Sequence, residues 1–228
     1  MNSEKNVSLS FMLMGVLFCV CLVASNLLET KIIQIGPFAL TAGFLVFPVS
    51  YIINDCIAEV WGFRKVRLVI WLGFLMNFFV VLLGNIAVAL PAAPFWKGEE
   101  HFNFVFGLAP RIAFASLLAF IVGSFLNAWV MSRMKVISKG RNFSLRAVVS
   151  TLVGETADSL IFFPIAFFGL IGGSEMLMLM LIQIAAKTLY EIIILPLTVQ
   201  VVKYVKRHEH TDVFDQNISY NILKIKDL

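Results

Sequence analysis

The chain has 228 residues, 60% of them hydrophobic and only 14% charged, with a mean hydropathy of +0.90. A water-soluble domain carries about a quarter charged residues, so a soluble enzyme or binding module is excluded and a single-domain, all-α integral membrane protein is expected. The net charge of +4 does not point to nucleic acid, because the cations collect at the ends of apolar runs and not along one polar face.

A membrane-spanning helix needs about 20 mostly apolar residues, and six stretches qualify: about 9–28, 39–61, 68–90, 111–131, 147–171 and 175–204. The first ends in Ala24-Ser25-Asn26. Val23-Ala24-Ser25 would pass as a signal cleavage site, but only Lys5 precedes the run as a cation, balanced by Glu4. An uncleaved first helix is therefore expected. The second span carries Pro48, which removes a backbone donor and clashes with the preceding turn, so a kink or break is expected there. The main-chain groups freed by such a break need protein or water as partners.

The third span carries Asn77 and Asn85, and the loop from Pro91 to Pro110 is the longest between spans. In the fourth, Ser116, Phe120, Gly123 and Asn127 lie on one stripe, followed by the basic segment Arg133 to Arg146. Gly172-Gly173 makes a tight turn between the fifth and sixth spans, so those two are expected to be antiparallel neighbours. Residues 206–228 form a polar tail, expected to be loosely ordered. Lys and Arg crowd the loops after spans two and four and the start of the tail. By the positive-inside rule both termini are cytoplasmic, with Arg64, Lys65 and Arg67 as topology anchors.

Acids inside a hydrophobic span cost several kcal/mol unless paired or wet. Asp55 and Glu59 share a face at i,i+4 spacing, and so do Thr151, Glu155, Asp158 and Phe162 in span five, and Gln183, Lys187 and Glu191 in span six. Counting about 1.5 Å per residue places Asp158 and Lys187 near the bilayer centre, where they can pair, with Glu155 and Glu191 one turn nearer the cytosol. An ion pair serving as structural glue would account for Asp158 with Lys187. It does not account for the set, since five acids face one buried Lys. The excess must be protonated, hydrated or met by an outside partner.

Asn77, Asn85 and Asn127 serve equally as interhelical glue or ligand contacts. Asn26 closes span one and also suits a cap, and Arg111 is either interfacial or part of a gate. Cys19, Cys21 and Cys56 all lie in apolar segments and read as small hydrophobes. Without CxxC or HExxH spacing, no metal or cofactor is expected. No Gly-x-Gly-Asp context or nucleophile elbow marks an intramembrane enzyme, although Asp55 and Asp158 would be its acids.

A carboxylate-rich cavity suits a flat polar ligand with adjacent N–H donors, which one carboxylate accepts in parallel, as on the donor edge of a guanine-like base. Amides can answer its carbonyl and aromatic rings can cover its faces. A cationic amine also fits, whereas a phosphate-bearing ligand fits badly.

From about Val23 to Val202 the sequence resembles the queuosine precursor transporter family, the YhhQ-like group earlier described as vitamin uptake transporters. The resemblance rests on Ala24-Ser25-Asn26; on Asn54-Asp55, Ala58-Glu59 and Gly62 with its trailing cations; on Glu155, Asp158-Ser159 and Phe162; and on Lys187, Glu191 and Pro196. It implies six spans in the inner membrane and import of 7-deazaguanine bases, the cyano and aminomethyl precursors of queuosine. On that reading Asp158 and Glu155 take the donor edge of the base, and Lys187 holds Asp158 ionised and meets the carbonyl. Glu191, Gln183, Asn127, Asn26 and Phe162 complete the binding set, while Asp55, Glu59, Asn54 and Arg111 gate the path or carry a proton. The partners implied are a nucleobase-like small molecule and the lipid bilayer, without nucleic acid, and a homodimer stays open. The alternative is the substrate-binding subunit of an energy-coupling-factor importer, but Met12 to Cys19 lacks the Ala-x-x-x-Ala spacing with which such subunits dock a partner.

Overall fold

The apolar runs fold as helices around a small set of close backbone approaches. A computed structural model describes residues 8–28, 31–36, 38–106, 110–169, 172–216 and 218–222. In chain order these form α1 (Leu9–Leu28), the strands β1 (Ile32–Ile35) and β2 (Phe38–Thr41), a 3-10 turn (Ala42–Leu45), α2 (Phe47–Trp61), α3 (Phe63–Ala89), α4 (Glu99–Phe106), α5 (Pro110–Ile137), α6 (Phe143–Phe167) and α7 (Gly173–Glu209). Six of these segments are long and apolar enough to cross a bilayer: α1, the 3-10 turn with α2, α3, α5, α6 and α7.

The second span differs in form from the expectation. Residues 39–41, taken as its start, belong to an antiparallel hairpin in which Ile32 pairs with Thr41 and Ile35 with Phe38. The chain then makes the 3-10 turn, and α2 begins only at Phe47, so Pro48 lies in its first turn. Proline is well placed there, because the first amides of a helix have no intrahelical acceptor to lose. Ser25 Oγ of α1 donates to the carbonyl of Gly43 at 3.3 Å, which satisfies part of the irregular backbone from inside the protein.

The connection from Pro91 to Pro110 also holds more structure than a loop. Two acids, Glu99 and Glu100, occupy the first turn of α4, where the helix dipole favours negative charge. Its Phe102 and Phe106 rings pack with centroids 4.6 Å apart at a tilt of 32°. Phe106 fills the notch at Gly84 of α3, where a Cβ would come within 2.8 Å of the ring.

Helices α5 and α6 pack through Gly123 and Gly154, small residues that let two backbones approach. A Cβ on Gly123 would lie 3.0 Å from the carbonyl of Gly154 and 2.5 Å from Tyr51 Oη; one on Gly154 would lie 2.8 Å from the Tyr51 ring. The two glycines thus form the slot that takes the tyrosine of α2. This slot fixes α2 against the α5–α6 pair and positions the acids that follow Tyr51.

The described part of the tail, residues 206–216 and 218–222, is packed, contrary to the loose order expected of it. Val213 N–H donates to the carbonyl of Val60 at 3.1 Å. Ile218, Tyr220 and Ile222 lie on the apolar core formed by α1, α2, α3 and α5. Arg67, one of the expected topology anchors, is buried and donates to the carbonyl of Asn221 at 2.8 Å. The start of α1 and the end of α7 lie at the end of the bundle that carries the α2–α3 joint, where Phe11 packs edge-on against Trp61 and Lys206 bonds to Glu59.

Candidate functional site

Two polar layers lie inside the bundle, one acidic and one built on cations. In the acidic layer, Asp55 comes from α2, Glu155 and Asp158 from α6, and Glu191 from α7, all between 0 and 7% exposed. Lys187 of α7 is buried among them. Its Nζ lies 2.8 Å from Glu155 Oε2 and 3.7 Å from Asp158 Oδ2. The expected pairing of Lys187 with Asp158 is therefore the secondary contact, and Glu155 is the nearer partner. The i,i+3 spacing on α6 presents both acids to one ammonium.

Asp55 lies with its two oxygens 3.2 and 3.3 Å from Ser150 Oγ of α6. Glu191 stands beside Asp55 and Thr151. Tyr51 is buried close to Glu155, Asp158 and Asp55. Among the described residues, Asp55 and Glu191 make no ion pair, and no group of three His, Cys, Asp or Glu side chains is arranged to hold a metal.

An amide chain borders this layer. Asn54 Nδ2 donates to Asn127 Oδ1 at 2.8 Å and to the carbonyl of Ser124 at 3.2 Å, and Asn127 Nδ2 reaches Thr151 Oγ1 at 3.4 Å. The run ties α2 to α5 and α5 to α6 and leaves Asn54 Oδ1 without a partner. Asn26 accepts from Ser116 Oγ at 2.6 Å, joining α1 to α5. Asn85 Nδ2 turns back to the carbonyl of Val81 in its own helix at 2.8 Å. Phe162 packs edge-on against Phe163 and Phe167, and Gln183 is half-buried one turn before Lys187. The side chain of Arg111 lies outside the described residues.

Glu59 belongs to the second layer, and its expected place among the surplus acids is corrected. Arg146 Nη1 bonds to Glu59 Oε2, Lys206 Nζ lies 2.6 Å from Oε1, and Lys135 Nζ lies 3.9 Å from Oε1 while bonding to the Glu59 carbonyl. Lys135 and Arg146 belong to the basic segment expected between spans four and five, but α5 runs about two turns beyond Met131 and α6 starts at Phe143, so both cations are carried inside and buried. Lys135 and Lys206 also hold Asp212 Oδ1 at 2.5 and 2.9 Å. Partial burial would push the Asp212 carboxyl up, but the hydrogen bonds from Lys135 and Lys206 outweigh it and hold the group below the usual carboxylate range.

The surplus of acid is thus four carboxyl groups against one ammonium, confined to the layer between α2, α6 and α7. Desolvated charge of this kind is costly unless it is neutralised or hydrogen-bonded. The arrangement can take up protons or a guest rich in N–H donors. Tyr51, Ser150, Lys135 and Arg146 were missed as members of these layers. Tyr51, Asp55 and Glu59 nonetheless form an i,i+4 stripe on α2, as do Ser150, Gly154 and Asp158 on α6.

Residues 41–201, more than half of the chain, match the family described as "Putative vitamin uptake transporter". The chain is 28% identical over 151 residues to the "Probable queuosine precursor transporter" of Bacillus subtilis, covering 65% of each chain. It is 30% identical over 148 residues to the "Queuosine precursor transporter" of Escherichia coli, covering 64% of this chain and 63% of that one. A relative in Haemophilus influenzae, also named "Probable queuosine precursor transporter", is 30% identical over 58% of this chain and 53% of its own. The matches therefore span less than two thirds of the relatives' own lengths. No solved structure matches the chain. With six apolar crossings and this match, the chain is a multi-pass membrane protein that belongs to the vitamin uptake transporter family of the matching model.

Proposed function

We propose that this protein imports queuosine precursors, 7-deazaguanine bases in the cyano or aminomethyl form, across the bacterial inner membrane, with both termini in the cytoplasm. The observation that carries the proposal is the buried surplus of Asp55, Glu155, Asp158 and Glu191 over Lys187. A deazaguanine offers adjacent N–H donors, and a carboxylate accepts such a pair in parallel. The names of the relatives support the same substrate class.

In this reading Glu155 and Asp158 bind the donor edge of the base, and Lys187 turns from its carboxylate partners to the ring carbonyl. Asn127, Gln183 and Phe162 border the site, and Asn54 holds Asn127 in place. Asp55, set beside Glu191 without a cation, carries the coupling proton.

The test is uptake of labelled precursor into liposomes containing only the purified chain, with guanine-like bases as competitors. Uptake that competes with 7-deazaguanines supports the proposal. Uptake that requires an added ATPase partner would instead make the chain the binding subunit of an energy-coupling importer, and no uptake in either arrangement would overturn it.

A further inference from the structure

The C-terminal residues 211–216 and 218–222 make a set of contacts unusual for a polar tail, to α2, α3, α5 and α7 at one end of the bundle. Asp215 Oδ2 accepts the N–H of Phe63 at 2.8 Å and also bonds to Ser132 Oγ of α5. A carboxylate at the first amide of α3 supplies the cap that Gly62, at the N-cap position, cannot provide. Lys135 donates to the carbonyl of Val213 at 2.7 Å and lies over the Phe214 ring at 4.7 Å. Further along, Tyr220 packs edge-on against Phe63 with centroids 5.0 Å apart, and Trp71 Nε1 donates to the carbonyl of Ile222 at 2.9 Å.

Gly62 confirms how close the approach is. Its φ is +80°, a conformation that disfavours a side chain, and a Cβ there would lie 2.7 Å from Asp215 Oδ1 and 2.9 Å from Val213. The tail therefore seats directly on the joint between α2 and α3.

The same joint reaches the acidic layer along α2. Asp55 and Glu59 are one turn apart on that helix, roughly 6 Å along its axis. Asp55 contacts the acid cluster, while Glu59 is bonded to Arg146 of α6 and Lys206 of α7. Separating α2 from α6 and α7 at this end breaks the Glu59 contacts, and the tail joins elements at the same end: Val213 N–H bonds to the Val60 carbonyl of α2, Asp212 bridges Lys135 of α5 and Lys206 of α7, and Asp215 bridges Phe63 of α3 and Ser132 of α5.

We propose that residues 211–216 and 218–222 act as a latch that holds the terminal end of the bundle closed, and that its release, together with the Glu59 contacts, opens the acidic layer to that side. The latch is a property of this fold and does not depend on which substrate the acids bind.

Cys56 supplies the reporter. It is buried between α2 and α7 beside Val60, Val202 and Val205, so its alkylation by a small membrane-permeant maleimide measures separation of those helices. In the full chain with Cys19→Ala and Cys21→Ala, Asp215→Ala should accelerate Cys56 modification about tenfold, the effect of losing one charge-assisted hydrogen bond. Asp212→Asn, on the half-exposed side of the cluster, should accelerate it by a smaller factor and serves as the reading if Asp215→Ala does not fold. In both variants the rate should stay independent of denaturant at concentrations below the unfolding transition, which separates local opening from global unfolding. Modification at the parental rate in the folded variants would overturn the latch, as would acceleration that appears only along with unfolding.

Discussion

Lys187 Nζ lies 2.8 Å from Glu155 Oε2 with both side chains buried, and the same ammonium is 3.7 Å from Asp158 Oδ2. Removing one partner of a buried pair leaves an uncompensated charge, at a cost of about 3–5 kcal/mol. Lys187→Met should lower the melting temperature sharply in detergent. Glu155→Gln should restore more of it in the double variant than Asp158→Asn does, because Glu155 is the nearer acid. Equal rescue by both would show that the ammonium is shared evenly.

For transport, Asp158→Asn and Glu155→Gln should each cut uptake of labelled precursor by at least about tenfold, the loss expected from a charge-assisted hydrogen bond. Both proteins should still reach the membrane in parental amounts. Uptake near the parental rate in both would end the assignment of these acids to the base.

The slot that holds Tyr51 gives a test by double substitution. Gly123→Ala places a Cβ 2.5 Å from Tyr51 Oη and 3.0 Å from the carbonyl of Gly154. Overpacking of this kind costs about 1–3 kcal/mol. Tyr51→Phe removes the nearest atom, so it should recover part of the loss in thermal melts of the double variant. An additive cycle would show that the backbone contact to Gly154 dominates.

Asp212 gives a pH dependence of known sign. Its carboxyl is held below the usual range by Lys135 and Lys206, so it contributes stability that is present above the unfolded pKa and lost as pH falls through the folded one. Melting temperature should drop below about pH 4, and Asp212→Asn should flatten part of that slope. An unchanged acid limb in Asp212→Asn would show that the contacts of Asp212 with its two lysines add nothing to stability.

The crossing segments were legible because about 20 consecutive apolar residues leave few alternatives in a chain with so little charge. The i,i+4 acids and Lys187 were legible for the same reason, as polar positions in otherwise apolar windows. Lys135 and Arg146 were not, because counting residues across a bilayer ends α5 near Met131 and starts α6 near Ala147, whereas α5 continues to Ile137 and α6 starts at Phe143, which brings both cations into the bundle. The packing of the tail was missed because a polar composition hides the apolar alternation of Ile218, Tyr220 and Ile222. Helix α4 was missed because eight residues are too few to show a clear helical period.

The cap on α3 has a consequence for biogenesis. Phe63 and the carboxylate that receives its amide, Asp215, are 152 residues apart in the chain. The cap on the first turn of α3 is completed only after α7 and the segment to Asp215 have been synthesised. Final seating of the α2–α3 joint is therefore among the last events of assembly, and a nascent chain stalled before Asp215 would hold six inserted segments without their closing contact.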